Sequence, residues 1–333
     1  MPQVSVVLPV WNGAHVIERA INSLLNQTYS DFELIVVNDG STDRTTDVVE
    51  AIRDSRIRAV RQPHTGVWQA MNRGLDEATG TVISRMDADD VCHPTRLEKQ
   101  LQLLNTGYDV VGSCVRILTK TNGQFVPVPS LQRYANWINR ETLSPEAILA
   151  LRFVEFPLVN PTLMAHRSYW DLRCTDDDFP EDYDLMLRAA AAGMKFAKVN
   201  EPLLDWIDSA QRLTRNHPRY TPDAFMQCRR SRFLEGPLAG VRRVDLWGAG
   251  QTGKPWLLWL QANGLEVRTV YDVNPRKTGH LIHNVPVQGP NNMPTADGTL
   301  LVIAVGAAGA RPLIREHILK HGYTLGQDAW FVA

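Results

Sequence analysis

The sequence has few cysteines, no excess of charge and no long apolar run. Its four cysteines among 333 residues form no C-x-x-C pair, so neither a disulfide framework nor a zinc knuckle is indicated. The formal net charge of −1 gives no electrostatic basis for binding nucleic acid. No run approaches the roughly 18 apolar residues of a membrane span, and no leader pattern precedes Val4. A cytoplasmic protein, at most peripheral to the inner face of the membrane, is expected.

The length suffices for two domains with separate cores. Glu235-Gly236-Pro237 interrupts the pattern of regular structure and indicates a domain boundary. A first domain is predicted over residues 1–235, divided into halves 1–118 and 119–235, and a second over residues 241–333.

The first half alternates strand and helix patterns. Val4–Leu8 predicts a buried strand stopped by Pro9, Asn12 is the expected helix N-cap, and Phe32–Val37 predicts the next strand. Such βαβ units require parallel strands whose carboxyl ends share one edge of the sheet. Ligands of open α/β sheets bind along that edge.

An acidic run follows the fourth predicted strand. Asp87, Asp89 and Asp90 are dense enough to repel one another unless a cation lies between them, and hard divalent ions take such oxygen ligands. Two other interpretations stay open. The run is also typical of a solvated, helix-capping loop, or of an EF-hand calcium loop, although Val91 and Cys92 replace the oxygen ligand and the glycine of that pattern.

Two further carboxylate positions also have a purely structural interpretation. Asp39 precedes Gly40, a turn signal, and its carboxylate could instead accept hydrogen bonds from a nucleoside. Glu181 and Asp182 follow Pro180, where the helix dipole favours acidic residues.

Four motifs in order carry a resemblance. Val4 to Asn12, Leu34 to Asp43, Met71 to Leu75, and Met86 to Asp90 with Pro94, Arg96 and Gln100 behind it closely resemble the family 2 glycosyltransferases. The resemblance covers roughly residues 3–205. It implies a GT-A fold, an α/β architecture with a mixed, mostly parallel sheet flanked by helices.

The resemblance also implies site residues. Asp182 would be the general base that takes the acceptor proton, and Glu181 a supporting group or an acceptor ligand. Asp89 and Asp87 would hold Mn²⁺ or Mg²⁺ on the diphosphate. The nucleotide-sugar site would comprise Pro9, Val10, Trp11, Asp39, Asn72, Asp87, Ala88 and Asp89.

The C-terminal region predicts a second α/β domain. Gly248, Gly250 and Gly253 form a G-x-G-x-x-G loop between a strand and a helix, with Asp272 about 20 residues on. The region resembles the small Rossmann-like domains of sugar acyltransferases. It predicts a dinucleotide or nucleotide ligand, or a fold kept for packing, oligomerisation or regulation.

The favoured function is an inverting hexosyltransferase that uses a nucleotide-diphospho-sugar, with UDP as the expected nucleotide, in cell-surface polysaccharide or glycoconjugate synthesis. The acceptor is expected to be a carbohydrate or a lipid-linked glycan, and a homo-oligomer is possible. Two alternatives stay open: an NAD(P)-dependent or sugar-nucleotide-modifying enzyme that uses the second domain, and a catalytically silent binding protein.

Overall fold

The computed structural model describes residues 2–173, 179–210 and 212–333. The chain separates into two compact units. The first comprises Met1–Ile148 and Pro157–Cys228, and the second comprises Leu149–Phe156 and Arg229–Ala333. Each unit has its own sheet.

The first part of unit 1 alternates strands and helices as the sequence predicts. Buried apolar side chains line its strands, and α1 buries the face made by Ile17, Ala20, Ile21 and Leu24. The elements are β1 (Val4–Val10), α1 (Ile17–Leu25), β2 (Phe32–Asp39), α2 (Thr45–Ala51), β3 (Ile57–Gln62), α3 (Val67–Glu77), β4 (Val82–Arg85), β5 (Val91–Cys92) and α4 (Arg96–Leu104).

The later part of unit 1 has longer strands and shorter helices. Its elements are β6 (Val110–Thr121), β7 (Gln124–Pro127), α5 (Gln132–Asn136), a π-helical turn (Trp137–Glu141), α6 (Pro145–Leu151), β8 (Met164–His166), α7 (Arg167–Trp170), α8 (Glu181–Ala191), β9 (Phe196–Ile207), α9 (Leu213–Asn216) and α10 (Pro222–Glu235). Two of these helices, α6 and α10, run past the boundary between the units.

The sheet of unit 1 is mixed. Its strand order is β3-β2-β1-β4-β8-β6-β9-β5, with β7 paired to β6. The first four strands are parallel, β8 is antiparallel to both of its neighbours, and β6 is parallel to β9. Because β1 lies between β2 and β4, Asp39 and the acidic run after Arg85 emerge at the same edge.

The predicted end of the first strand at Pro9 is wrong. β1 continues through Pro9, which lies opposite Val37. The carbonyl of Val7 accepts from Met86 N. The backbone nitrogen of Pro9, two residues later, therefore points to the same side of β1, toward β4. β4 has already ended there, and the missing N–H of Pro9 leaves no ladder partner unsatisfied.

Two local signals in the later part are confirmed. Asn122 and Gly123 have φ of 50° and 82° and form the turn between β6 and β7, as an Asn-Gly hairpin requires. Ser144 Oγ accepts from Ala147 N at 3.2 Å, and α6 begins at Pro145. The two strands predicted over residues 110–118 are one strand whose pairing with β9 shifts register around Cys114.

Unit 2 has a six-stranded sheet of order β12-β13-β11-β10-β14-β15. All pairs are parallel except β12 with β13. Its elements are β10 (Arg243–Trp247), α11 (Gly253–Ala262), β11 (Glu266–Tyr271), β12 (Leu281–Ile282), β13 (Val285–Gln288), β14 (Leu300–Ile303), α12 (Ala310–Lys320) and β15 (Ala329–Phe331).

An aromatic cluster explains why residues 149–156 belong to unit 2. The ring of Phe153 contacts Phe233 and Trp330 at centroid distances of 4.9 and 5.6 Å. Phe233 also contacts Trp256 of α11 at 5.9 Å. These edge-to-face contacts bury the segment in the core of the unit.

Within the three described ranges, no helix is both long and apolar enough to cross a membrane. Cys92, Cys114 and Cys228 are buried free thiols. Cys174 lies outside the described residues.

Candidate functional site at the carboxyl edge of the sheet

The loop after β1 is tied to the loop after β2. Asn12 does not cap a helix as predicted: α1 begins at Ile17, and Asn12 has φ of 50°. Its Oδ1 accepts from the backbone N of Thr42 at 2.8 Å and of Asp43 at 3.3 Å. Asn and Asp tolerate this left-handed conformation better than other non-glycine residues, so Asn12 serves as a bridge between the loops.

Asp39 is buried and holds the segment after β3. Its Oδ1 accepts from Gln62 Nε2 at 2.7 Å and Thr65 N at 3.0 Å, and its Oδ2 accepts from Gly66 N at 2.8 Å. His64 Nδ1 lies 2.8 Å from Oδ2. Burial alone raises the pKa of Asp39, but these hydrogen bonds and the neighbouring imidazole outweigh it, and the pKa is lowered.

Trp11 is half exposed directly after the buried residues Pro9 and Val10. Its ring stacks on His64, with centroids 4.4 Å apart and planes 19° from parallel. Because His64 Nδ1 lies 2.8 Å from Asp39 Oδ2 and 3.1 Å from Asp39 O, the end of β1, the end of β2 and the segment after β3 form one connected group.

The acidic run carries carboxylates in different environments. Asp90 is buried; its Oδ1 accepts from Ile207 N at 2.8 Å, while its Oδ2 has no hydrogen-bond partner among the described residues. Burial and the neighbouring acids raise the pKa of both Asp89 and Asp90. The backbone is held in place by Arg19 of α1, whose Nη2 donates to Asp89 O at 2.8 Å.

The acidic run offers only part of a coordination shell to the predicted metal ion. In the part of the chain that the structure describes, no group of three or more His, Cys, Asp or Glu side chains is arranged to hold a metal ion. Asp87 and Asp89 are two hard oxygen donors, and the crowding that raises the pKa of Asp89 is relieved by a cation. The pair therefore fits Mg²⁺ or Mn²⁺ only where phosphate oxygens and water supply the other ligands.

Arg85 links the acidic run to the start of α8. It is the last residue of β4 and is buried, and its Nε donates to Asp87 Oδ1 at 3.0 Å. Burial lowers its pKa, but the charges of Asp87, Glu181 and Asp182 outweigh this and raise it. Arg85 thus provides the positive charge shared by three carboxylates.

Asp182 has an environment suited to accepting a proton at neutral pH. Burial and the adjacent Glu181 raise the pKa of Asp182 to about 7, against the opposing effects of Arg85 and the hydrogen bond from Tyr183 N. That hydrogen bond reaches Oδ1 at 2.8 Å. A general base is most effective when its pKa lies near the working pH.

Glu181 is bound by neighbouring side chains. Tyr220 OH lies 2.8 and 2.7 Å from its two carboxylate oxygens, and Arg219 Nη1 lies 3.7 Å from Oε2. The hydroxyl of Tyr220 can donate to one oxygen at a time. These contacts fix the first turn of α8 and therefore the position of Asp182.

Tyr169, Arg188 and Asn72 of unit 1 each have a buried polar atom without a hydrogen-bond partner among the described residues. The hydroxyl of Tyr169 has none, and the pKa of Tyr169 is raised by burial and by Asp182. Arg188 pairs with Asp184 through Nε at 2.8 Å, but its Nη2 has no partner. Asn72 Oδ1 on α3 is likewise unpaired. Such atoms are uncommon in folded proteins and mark places where a ligand or water binds.

Sequence reasoning did not select Arg85, Tyr169 or Tyr220 as site residues. An arginine at the end of an otherwise apolar strand, directly before a carboxylate run, is a signal that could have identified Arg85. Tyr169 and Tyr220 carry no sequence signal, because only the folded structure brings them close to Asp182 and Glu181. The guanidinium of Arg212 lies 3.8 Å from the Trp206 ring centroid and 3.4 Å from Asp208 Oδ1.

The glycine-rich loop of unit 2 is internally bonded. A Cβ on Gly253 would lie 1.8 Å from Gly248 O, so packing requires that glycine, whereas a Cβ on Gly250 would contact nothing within 4 Å. Asp272 Oδ2 accepts from Ala249 N at 2.8 Å and lies 3.1 Å from Lys277 Nζ. The carboxylate therefore binds the loop itself.

Comparisons with known proteins identify the first part of the chain. Residues 5–154 match the family described as "Glycosyl transferase family 2". A Bacillus subtilis (strain 168) protein described as an uncharacterized glycosyltransferase, EpsJ, is 36% identical over 149 residues, which are 44% of this chain and 42% of that protein. The chondroitin synthase of Pasteurella multocida (strain Pm70) is 34% identical over 212 residues, which are 60% of this chain and 20% of the synthase.

A solved structure confirms the fold of this domain. The crystal structure of S. aureus TarS 1-349 in complex with UDP-GlcNAc matches with a TM-score of 0.54 at 20% identity, covering 70% of this chain and 67% of that one. At this identity the likeness shows the fold alone. The expectation of a mixed α/β sheet is confirmed, and residues 5–154 match the expected family. The chain spans less than half the length of the two sequence relatives.

Proposed function

We propose that this chain is an inverting glycosyltransferase that moves a sugar from a nucleotide-diphospho-sugar, with UDP as the nucleotide, to an acceptor hydroxyl. The observation that carries the proposal is the arrangement around Arg85: one buried guanidinium is shared by Asp87 of the acidic run and by Asp182, whose pKa is about 7. A base for the acceptor and a carboxylate for the donor diphosphate are thus electrostatically linked.

In this mechanism Asp182 takes the proton of the acceptor hydroxyl as the hydroxyl oxygen attacks the anomeric carbon. The bond from that carbon to the diphosphate oxygen breaks, its electron pair leaves with the nucleoside diphosphate, and the single displacement inverts the anomeric centre. The transition state resembles an oxocarbenium ion, as in glycoside hydrolysis. Tyr220 and Arg219 hold Glu181 and thereby orient Asp182.

The donor end is assigned to the carboxyl edge of the parallel strands. Asp89 and Asp87 would hold Mn²⁺ or Mg²⁺, which when bound neutralises charge on the leaving diphosphate. Trp11 offers an exposed ring beside His64, and Pro9, Val10, Asp39, Asn72 and Ala88 complete the proposed nucleotide-sugar site.

The names of two similar proteins support a role in polysaccharide or glycoconjugate synthesis. Chondroitin synthase is named for a polysaccharide product, and the TarS crystals contain UDP or UDP-GlcNAc. A carbohydrate or lipid-linked acceptor, a cytoplasmic location and a homo-oligomer belong to the same proposal. For unit 2, the mostly parallel sheet and the glycine loop support a Rossmann-like domain.

The test is release of UDP from a panel of UDP-sugars by the full chain with Mn²⁺, in the presence of glycan acceptors. We expect turnover with at least one sugar, and a loss of about 10²- to 10⁴-fold in Asp182→Asn. Asp184→Asn is the matched control, because Asp184 lies on the same helix but pairs with Arg188. No turnover with any UDP-, dTDP- or GDP-sugar contradicts the proposal.

A further inference from the structure

Arg96, at the start of α4, has no exposed surface. Among the described residues it has no carboxylate within ion-pair distance, although an arginine in a folded protein keeps its charge. Burying an unpaired cation is unfavourable unless its donors are satisfied and negative charge lies nearby. The contacts of Arg96 show how its donors are satisfied.

All five N–H groups of Arg96 have an acceptor nearby. Nε donates to Gln100 Oε1 at 2.9 Å, and Nη2 donates to Ser84 Oγ at 3.2 Å and to Arg85 O at 2.7 Å. Nη1 lies 3.4 Å from Met86 Sδ and 3.1 Å from Cys92 Sγ. The planar guanidinium has five donors in a fixed arrangement, so these contacts define its position and orientation.

The acceptors lie on both sides of the acidic run. Ser84, Arg85 and Met86 come directly before Asp87, and Cys92 follows Asp90 after one residue. The guanidinium therefore joins the end of β4 to β5 and closes residues 87–90 into a loop. The other side of the side chain is anchored by Gln100, whose Nε2 donates to Val111 O at 3.0 Å and Thr162 O at 2.7 Å.

We infer that Arg96 is a positioning residue for the acidic run: it fixes both ends of residues 87–90 so that Asp87 and Asp89 face one cation and the donor diphosphate together. This inference rests on the proposed function. Arg96 itself touches neither the cation nor the donor. Outer groups that orient metal ligands typically change metal affinity by about 10- to 100-fold when removed.

The test compares UDP binding by calorimetry, with and without Mn²⁺, for the full-length wild type, Arg96→Met and Arg96→Lys, together with the thermal unfolding of each protein. We expect Arg96→Met to weaken Mn²⁺-dependent UDP binding by about tenfold or more and to leave metal-free binding unchanged. Arg96→Lys should lie between, because lysine keeps the charge but has three donors instead of five.

The matched control is Arg167→Met. Arg167 also donates to main-chain carbonyls, those of Leu75 and Ala78, and its backbone N donates to Thr81 O at the opposite end of β4. We expect this variant to lower the unfolding temperature without changing the ratio of UDP affinities with and without Mn²⁺. A purely structural role for Arg96 predicts the same result for both variants.

If Arg96→Met does not fold, Ser84→Ala and Cys92→Ala remove single acceptors of the guanidinium, and each should weaken Mn²⁺-dependent binding several-fold. If every folded variant binds UDP in the presence of Mn²⁺ as tightly as the wild type does, the inference is overturned and the proposed function is unaffected. Absence of Mn²⁺-dependent UDP binding in the wild type overturns both.

Discussion

Arg85 Nε lies 3.0 Å from Asp87 Oδ1, and the guanidinium to which it belongs also acts on Asp182. The chain separates these two carboxylates by 95 positions, yet one buried cation serves both. Removing it affects the proposed donor and acceptor ends at once, which makes Arg85 the most informative position in unit 1.

The first prediction concerns the pH dependence of transfer. Asp182 must be ionised to act as a base, and its pKa is about 7, so the rate should rise as the pH increases through 7 and level off above it. The measurement is the rate of UDP release as a function of pH, from about two pH units below that pKa to about two above it. Asp184→Asn should keep the midpoint; a wild-type profile that is flat across pH 7 contradicts the assignment.

The second prediction concerns Arg85→Met. The charge of Arg85 lowers the pKa of Asp182, so its removal should raise that pKa and move the rise in rate to higher pH. At pH 7 the rate should fall by roughly two- to fivefold, the effect of raising a pKa of about 7 by about half to one unit. Arg56→Met, which removes a guanidinium paired with Asp54, should leave the midpoint unchanged. An unchanged midpoint in Arg85→Met would show that the two residues are not linked.

The third prediction concerns Asp39→Asn. The carboxylate accepts from Gln62, Thr65 and Gly66, and an amide in its place turns one acceptor into a donor that faces backbone N–H groups. We expect a loss of about 2 to 3 kcal/mol in the free energy of unfolding, measured by urea denaturation. Because the pKa of Asp39 is lowered in the folded state, this stabilisation should disappear as the pH falls through that pKa.

The control for Asp39 is Asp54→Asn, which removes a carboxylate bonded to Arg56 at the start of β3. That variant should leave the segment after β3 in place. If Asp39→Asn has wild-type stability but binds UDP poorly, the carboxylate serves the nucleoside and the scaffold does not depend on it.

The fourth prediction concerns Lys198. Its Nζ is buried and donates to Ile138 O at 2.6 Å, Thr142 Oγ1 at 2.9 Å and Pro157 O at 3.0 Å. Burial lowers its pKa from 10.5 to about 7. The unfolded chain thus binds more protons between those values, so stability should rise with pH there, by up to about 1.4 kcal/mol per pH unit.

Lys198→Met should remove this rise, measured by urea denaturation at pH 7, 8 and 9, roughly the window in which the two states differ. Lys195→Met removes an exposed lysine directly before β9, and this variant should retain the rise in stability with pH. The same pH dependence in wild type and Lys198→Met would show that the buried amine keeps its charge.

The features predicted correctly from the sequence are those determined by residues close together in the chain. The Asn122-Gly123 turn, the start of α6 at Ser144-Pro145 and the parallel strands were predictable because turn residues, caps and apolar periodicity act over a few positions. Pro9 and Asn12 were misjudged because the end of β4 and the loop after β2, distant in sequence, decide their roles.

The candidate site shows the same limit. The acidic run and the Glu181-Asp182 pair are visible in the sequence. The roles proposed for Arg85 and Arg96 depend on their burial among residues that only the fold brings together. The roles given to the site residues remain predictions.

The most direct test of the account is calorimetric titration of the full-length protein with UDP, with and without Mn²⁺, repeated on Asp89→Asn. The account predicts binding that Mn²⁺ strengthens and that the substitution weakens by about tenfold or more in the presence of the metal. Asp43→Asn, an exposed aspartate of the loop after β2, should retain the metal effect. Binding of UDP that neither Mn²⁺ nor Asp89→Asn alters would contradict the account.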